Sequence, residues 1–347
     1  MQYLKTYLNK IIARGNEKLA ESISKTAEDI GKSYISTFSF TSHEIGLLFG
    51  NVQSGKTGQM FGILRKAADL GFPAFLILTT DNVVLQAQTL ERVKSDLEGF
   101  CICGEDDTGL FVENSLIQPA IIILKKNSRV LRKWANIFNT TGFMKGYPLF
   151  IIDAEADAAS LNTFINRKGN QFSSINKYLN SIKNGATSSL YLQVTGTPQA
   201  ILLQTMASGW HPYFTYYFQP GSAYLGGDFF FPSSQKPDCI TFLETVKEDT
   251  KEAVLRHITV SAQVLASGGK VCNGLIHPSV RQSAHNTYAK DVKKVLEWCK
   301  ANNAEFKAEI IKHSASLNPQ KSAKLSYDVI FSKAESLVMN DEINVYI

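Results

Sequence analysis

Eight residues, Gly50-Asn51-Val52-Gln53-Ser54-Gly55-Lys56-Thr57, follow the apolar run Ile45–Phe49 and precede a helix-forming stretch from Gln59 to Asp69. Their spelling is G-x-x-x-x-G-K-[ST], and this strand–loop–helix context constrains the fold more than any other part of the chain. A strand that ends in a Gly-bounded turn and re-enters as a helix points a row of backbone N–H groups and the positive end of the helix dipole at one spot. Apolar positions at Met60, Phe61, Leu64 and Ala67 give the outgoing helix its buried face. Gly50, Asn51, Val52, Gln53, Ser54, Gly55, Lys56, Thr57 and Gly58 are therefore the expected nucleotide-binding residues. Lys56 is expected at the β- and γ-phosphates of ATP or another nucleoside triphosphate, and the Thr57 hydroxyl as a magnesium ligand.

Short apolar runs at 45–49, 74–79, 120–124, 149–153 and 190–195 alternate with polar helical stretches. Strands separated by helices imply an α/β fold with a parallel sheet and right-handed crossovers. Ahead of them, Leu4, Leu8, Ile11, Ile12, Leu19, Ile23 and Ile30 fall at helical spacing with a break near Gly15, which predicts a helical N-terminal cap over 1–44. The RecA-like domain is expected over 45–225. Between Tyr213 and Pro237 the chain is aromatic and rich in Gly and Pro and reads as an irregular connection; its aromatics suit either base stacking or packing in the core or between domains. Residues 226–267 are expected to hold this connection and a helix from about 247 to 266. Over 268–347 the pattern predicts strands at Val271–His277, Glu309–Lys312 and Asn344–Ile347 around a helix at Tyr288–Asn302, the start of a second, truncated domain of the same kind.

Composition narrows the class without naming a partner. The 347 residues are 44% hydrophobic and 19% charged, with a net charge of +5. That excess is spread thinly, so it permits a polyanionic partner without arguing for one. Five cysteines, Cys101, Cys103, Cys239, Cys272 and Cys299, are odd in number and lack C-x-x-C spacing, against a disulfide framework or zinc ribbon. The apolar runs are strand-sized and Met1–Lys5 has no signal-peptide layout, so a cytoplasmic protein with no membrane partner is expected.

The second chemical element is the strand Leu149–Asp153 running into Ala154-Glu155-Ala156-Asp157. An apolar strand ending in acidic residues is the usual complement of a phosphate loop, one carboxylate holding magnesium and Glu155 orienting the attacking water. A third is Leu190–Val194 followed by Thr195-Gly196-Thr197-Pro198, small hydroxyl residues suited to coupling nucleotide state to a neighbouring surface. Thr79-Thr80-Asp81 and Gln86 follow the second strand where a nucleic-acid backbone contact is expected. His277, Arg281 and His285 lack the partners of a zinc site and are expected to cap the adjoining strand or face a cleft.

Together, Gly-x-Val-Gln-Ser-Gly-Lys-Thr, Ile-Asp-x-Glu-Ala-Asp followed by Ala159-Ser160, Thr-Gly-Thr-Pro, and Leu275 to Ser279 with Arg281 resemble the Z-one family. Those are superfamily-two helicase-like ATPases found with bacterial restriction and phage-defence endonucleases. Ile123-Leu124-Lys125-Lys126-Asn127 also resembles a family segment. The resemblance spans roughly 45 to 347 and implies an ATP- and magnesium-using motor or switch that works on DNA with a nuclease domain or subunit. It gives Lys56 and Glu155 catalytic roles and Thr195, Gly196 and Thr197 coupling roles.

Two departures qualify that expectation. The family pattern places a second aspartate where this chain has Ala154, and adjacent strand residues face opposite ways, so Asp153 does not substitute for it. Ala154 reads either as a replacement engineered to trap the ATP-bound form, the preferred reading, or as a natural loss. Second, the arginine finger expected from a complete second domain has no place before Ile347, which suggests a fragment of a larger protein. The rival function is a non-hydrolysing ATP-sensing module that binds a partner protein.

Overall fold

Strands with no polar face belong inside a sheet covered on both sides, and the computed structural model bears this out. It describes residues 2–346 except 115–116, 141–145, 162–172, 204–208, 223, 232–249, 278, 280 and 317–324. Seven parallel strands, β1 (His43–Phe49), β2 (Ala74–Thr79), β3 (Cys101–Cys103), β4 (Ala120–Lys125), β5 (Pro148–Ala154), β6 (Ser188–Thr195) and β7 (Phe214–Tyr217), lie in the order β3-β4-β2-β5-β6-β1-β7. Every residue of β2 and β6 is buried. Alternate residues serve opposite faces: Phe75 and Ile77 join one core, Ala74, Leu76 and Leu78 the other. This is the expected RecA-like α/β architecture.

Helices α1 (Tyr3–Ala13) and α2 (Glu17–Ile30), the π-turn Gly31–Ile35, α3 (Lys56–Asp69) and α4 (Val83–Asp96) contribute to the first face. The second carries α5 (Thr108–Asn114), α6 (Ser128–Thr140) and α7 (Ser174–Gly185), followed along the chain by the short α8 (Gln199–Leu202) and α9 (Gly227–Phe230). The N-terminal helices are built into the domain. Ile23 of α2 lies against Gly62 of α3 so closely that a Cβ there would sit 2.4 Å from its Cγ2. Asp69 accepts from the backbone N–H groups of Tyr3 and Leu4, satisfying donors at the start of α1. Arg65, fully buried, donates to the carbonyls of Tyr3 and Asp96.

The chain divides into Met1–Asp228 and Phe229–Ile347. In the second unit the expected strands are corrected. Its helices α10 (Thr250–Ala266), α11 (Gln282–Ala301), α12 (Asn303–Ser316) and α13 (Tyr327–Met339) share one apolar core, and its described residues contain no strand. Glu309–Lys312 lies within α12, because Phe306, Ile310 and His313 recur at helical spacing and are all buried. Residues 271–277 and 342–346 have no regular structure. The expected helices appear as α10 and α11, the latter starting earlier than Tyr288; Cys239 and residues 232–237 lie outside the described residues. No helix among the described residues is long and apolar enough to cross a membrane.

Candidate functional site

Sheet order explains why three separated motifs meet. β6 lies between β1 and β5, and all three are parallel, so the phosphate loop, Thr195-Gly196-Thr197 and the acidic turn leave the same edge side by side. Ligands of open α/β sheets bind at that carboxyl edge. Register keeps the ends level: Phe49 pairs with Thr195, and Ala154 with Val194.

The loop turns tightly from β1 into α3. Gly55 sits at φ 93° and Gln53 at φ 58°, both left-handed, and α3 starts at Lys56. The Ser54 hydroxyl donates to the Asn51 carbonyl at 2.5 Å and buries inside the turn. The Lys56 ammonium curls back over the loop to within 3.5 Å of the Asn51 carbonyl. A Cβ at Gly196 would lie 3.0 Å from the same Nζ, so the β6 end faces the ammonium closely and a side chain there would press on it. Thr57 and Gly58 follow in the first turn of α3, half-buried, with Gly58 admitting Ile23 of α2.

The acidic turn shows which carboxylates are free. Asp153 is wholly buried and committed: Lys126 Nζ donates to its Oδ1 at 3.0 Å and Tyr191 Oη to its Oδ2 at 2.7 Å. Burial, with Asp153 beside it, pushes the Tyr191 phenol well above its ordinary value, so it stays a donor. Lys126 spends its other two protons on the carbonyls of Ala154 (2.9 Å) and Glu155 (2.7 Å). It thereby secures a turn in which Glu155 takes φ 52°, a conformation costly for a residue with a Cβ. Glu155 itself is exposed.

Asp157 is committed too, and sequence alone did not single it out. It accepts from the hydroxyls of Thr195 (2.5 Å) and Thr197 (2.7 Å). Burial raises its carboxyl, but the two hydroxyls prevail and hold it below its ordinary value. The acidic turn and the β6 end are therefore mechanically joined. Signals for both missed residues existed: the second of two lysines that close the apolar run of β4, and an aspartate two residues beyond Glu155.

Magnesium does not fit this donor set in the ordinary way. Position 154 offers a methyl group, Asp153 and Asp157 are engaged by other partners, and only the Thr57 hydroxyl remains of the expected ligands, with the exposed Glu155 as the nearest uncommitted carboxylate of the acidic turn. Elsewhere, Thr79–Asp81 end β2 at the same edge, where Asp81 accepts from Asn127 at 3.1 Å. His277 and His285 stack edge to face at 5.7 Å and cap no strand. Among the described residues no three His, Cys, Asp or Glu side chains gather to hold a metal.

No family model and no curated protein matches the chain. Among solved structures, the helicase domain of Pyrococcus furiosus Hef is similar at a TM-score of 0.37 and 12% identity, over 90% of this chain and 58% of that one. The chain thus spans less than two thirds of that protein's length. The RecA-like assignment rests on this chain's own sheet and loop.

Proposed function

We propose that the chain binds a nucleoside triphosphate, ATP in the first instance, at Gly50–Gly58, and works as the nucleotide-driven part of a helicase-like machine on DNA. The restriction or phage-defence setting, with its nuclease partner and cytoplasmic location, is part of the same proposal and rests on the Z-one resemblance. The observation that carries the nucleotide reading is the meeting of the Lys56 ammonium, Gly196 and the Asp157–Thr195–Thr197 cluster at the ends of β1, β6 and β5.

In this reading the loop N–H groups and Lys56 hold the β- and γ-phosphates, and Glu155, fixed through its backbone by Lys126, orients water at the terminal phosphate. A change at the terminal phosphate shifts Gly196, and Asp157 transmits that shift between β6 and the acidic turn. Magnesium, if recruited, would meet Thr57, and no step here depends on it.

A second reading, an ATP-sensing module that does not hydrolyse, is favoured by Ala154 and by the commitment of Asp153 to Lys126 and Tyr191. Phosphate release with DNA supplied, compared between the parent chain and Ala154→Asp, separates the two. The motor reading expects little release from the parent and magnesium-dependent release from Ala154→Asp when both are extended by a complete second domain carrying an arginine finger, and little from either without it. Equal inactivity of both extended chains, with ATP bound, contradicts the motor and leaves the sensor.

A further inference from the structure

Two tyrosines touch the first residues of the phosphate loop on the side away from Glu155, and the chemistry above uses neither. Tyr217 ends β7, pairs with Phe49 in register and stacks obliquely on it at 5.3 Å. Its hydroxyl lies 3.2 Å from Asn51 Oδ1, while 45% of the residue remains exposed. Tyr224 donates from its hydroxyl to the Val52 carbonyl at 2.6 Å and keeps its ring against Gly226. Between them in the chain, Phe218 fills the space under Gly50, where a Cβ would sit 2.3 Å from its ring. Leu19 of α2 borders the loop from below, 3.7 Å from the Cβ position of Gly55.

The site has a direction. Lys56 Nζ faces Gly196 at the β6 end, so the terminal phosphate points toward β6 and Glu155. β7 pairs with β1 on the opposite flank from β6. The ribose and base of a nucleotide whose phosphates fill the loop must therefore leave toward β7, where Tyr217 and Tyr224 stand.

We propose that Tyr217 and Tyr224 form the base-stacking wall of this site and take the ring system of a purine nucleoside triphosphate, an assignment that rests on the phosphate-loop reading. Both hydroxyls are occupied by the loop, so the tyrosines offer ring faces rather than a donor and acceptor pattern. Stacking reads π area and tolerates different bases. The site accordingly prefers purines to pyrimidines and hardly distinguishes adenine from guanine.

The test is calorimetric titration of the full chain with ATP, GTP, UTP and inorganic tripolyphosphate. Tyr217→Ala and Tyr224→Ala are each expected to weaken ATP about tenfold, the lower range of a stacked base by alanine substitution, and tripolyphosphate less than twofold. Tyr217→Phe and Tyr224→Phe keep the rings and should retain ATP affinity within about threefold. Tyr213, 76% exposed just before β7 at the opposite sheet edge, is the control, and Tyr213→Ala should change nothing. Equal losses for ATP and tripolyphosphate, or no loss for either, would overturn the stacking wall while the loop assignment stands. Failure of the parent chain to bind either ligand would overturn the loop assignment and this one with it.

Discussion

Lys126 offers the sharpest energetic test of how the acidic turn is held. Lys126→Met keeps the apolar stem of the side chain and deletes only the ammonium, leaving the Asp153 carboxylate, wholly buried, with Tyr191 as its one remaining side-chain partner among the described residues. Removing one member of a buried pair costs roughly 3–5 kcal/mol, because the other charge stays desolvated. For a unit of about this size each kcal/mol moves the melting temperature by about 2–4 °C, which puts the expected loss at about 6–20 °C. The assay is thermal unfolding followed by circular dichroism at neutral pH. The double variant Lys126→Met with Asp153→Leu removes the stranded charge and should regain part of that loss. It should not regain all of it, since the buried Tyr191 hydroxyl loses its Asp153 acceptor, at about 1–3 kcal/mol for a buried group left unpaired, and the part-buried Ala154 and Glu155 carbonyls still lack their donor. A single variant within 1 °C of the parent, or a double variant no better than the single, would refute the clamp.

Two further predictions concern packing and pH. Gly62→Ala would drive a methyl group into Ile23, costing roughly 1–3 kcal/mol against a helix-propensity gain of about 1 kcal/mol, so the melting temperature should fall; Gly109→Ala in α5 meets nothing within 4 Å and should raise it slightly. Unfolding free energies from urea titrations check both signs. Asp157, its carboxyl held below the ordinary value, contributes stability that is complete above the unfolded pKa near ~3.9 and is lost as pH falls through the folded value. The stability gap between parent and Asp157→Asn should therefore be constant above about pH 5 and shrink below about pH 4, and a gap unchanged down to pH 2 would contradict it.

The sheet was legible in the sequence because parallel strands covered on both faces read as unbroken apolar runs, as in Phe75–Leu78 and Ile121–Leu124. Two strands were not. β3 is three residues long, with Cys101 and Cys103 buried as free thiols, and β7 is a short edge strand in an aromatic, Gly-rich surrounding that reads as a connection. Glu309–Lys312 failed in the opposite direction: two adjacent isoleucines resemble a strand, and only the wider spacing of Phe306, Ile310 and His313 reveals the helix. The phosphate loop is local and needs no tertiary knowledge. The Lys126–Asp153 pair does, because β4 and β5 flank β2, and Lys126 reaches Asp153 past the end of a strand distant in the chain.

The claim on which the rest depends is that Gly50–Gly58 holds a triphosphate through Lys56. Equilibrium binding of ATP to the parent chain and to Lys56→Ala, with circular dichroism confirming that both are folded, tests it directly. Removing the compact cation at the densest phosphate charge should abolish measurable binding in the variant while the parent saturates with one equivalent. Equal affinity in two folded proteins would contradict the assignment of this loop as the nucleotide site.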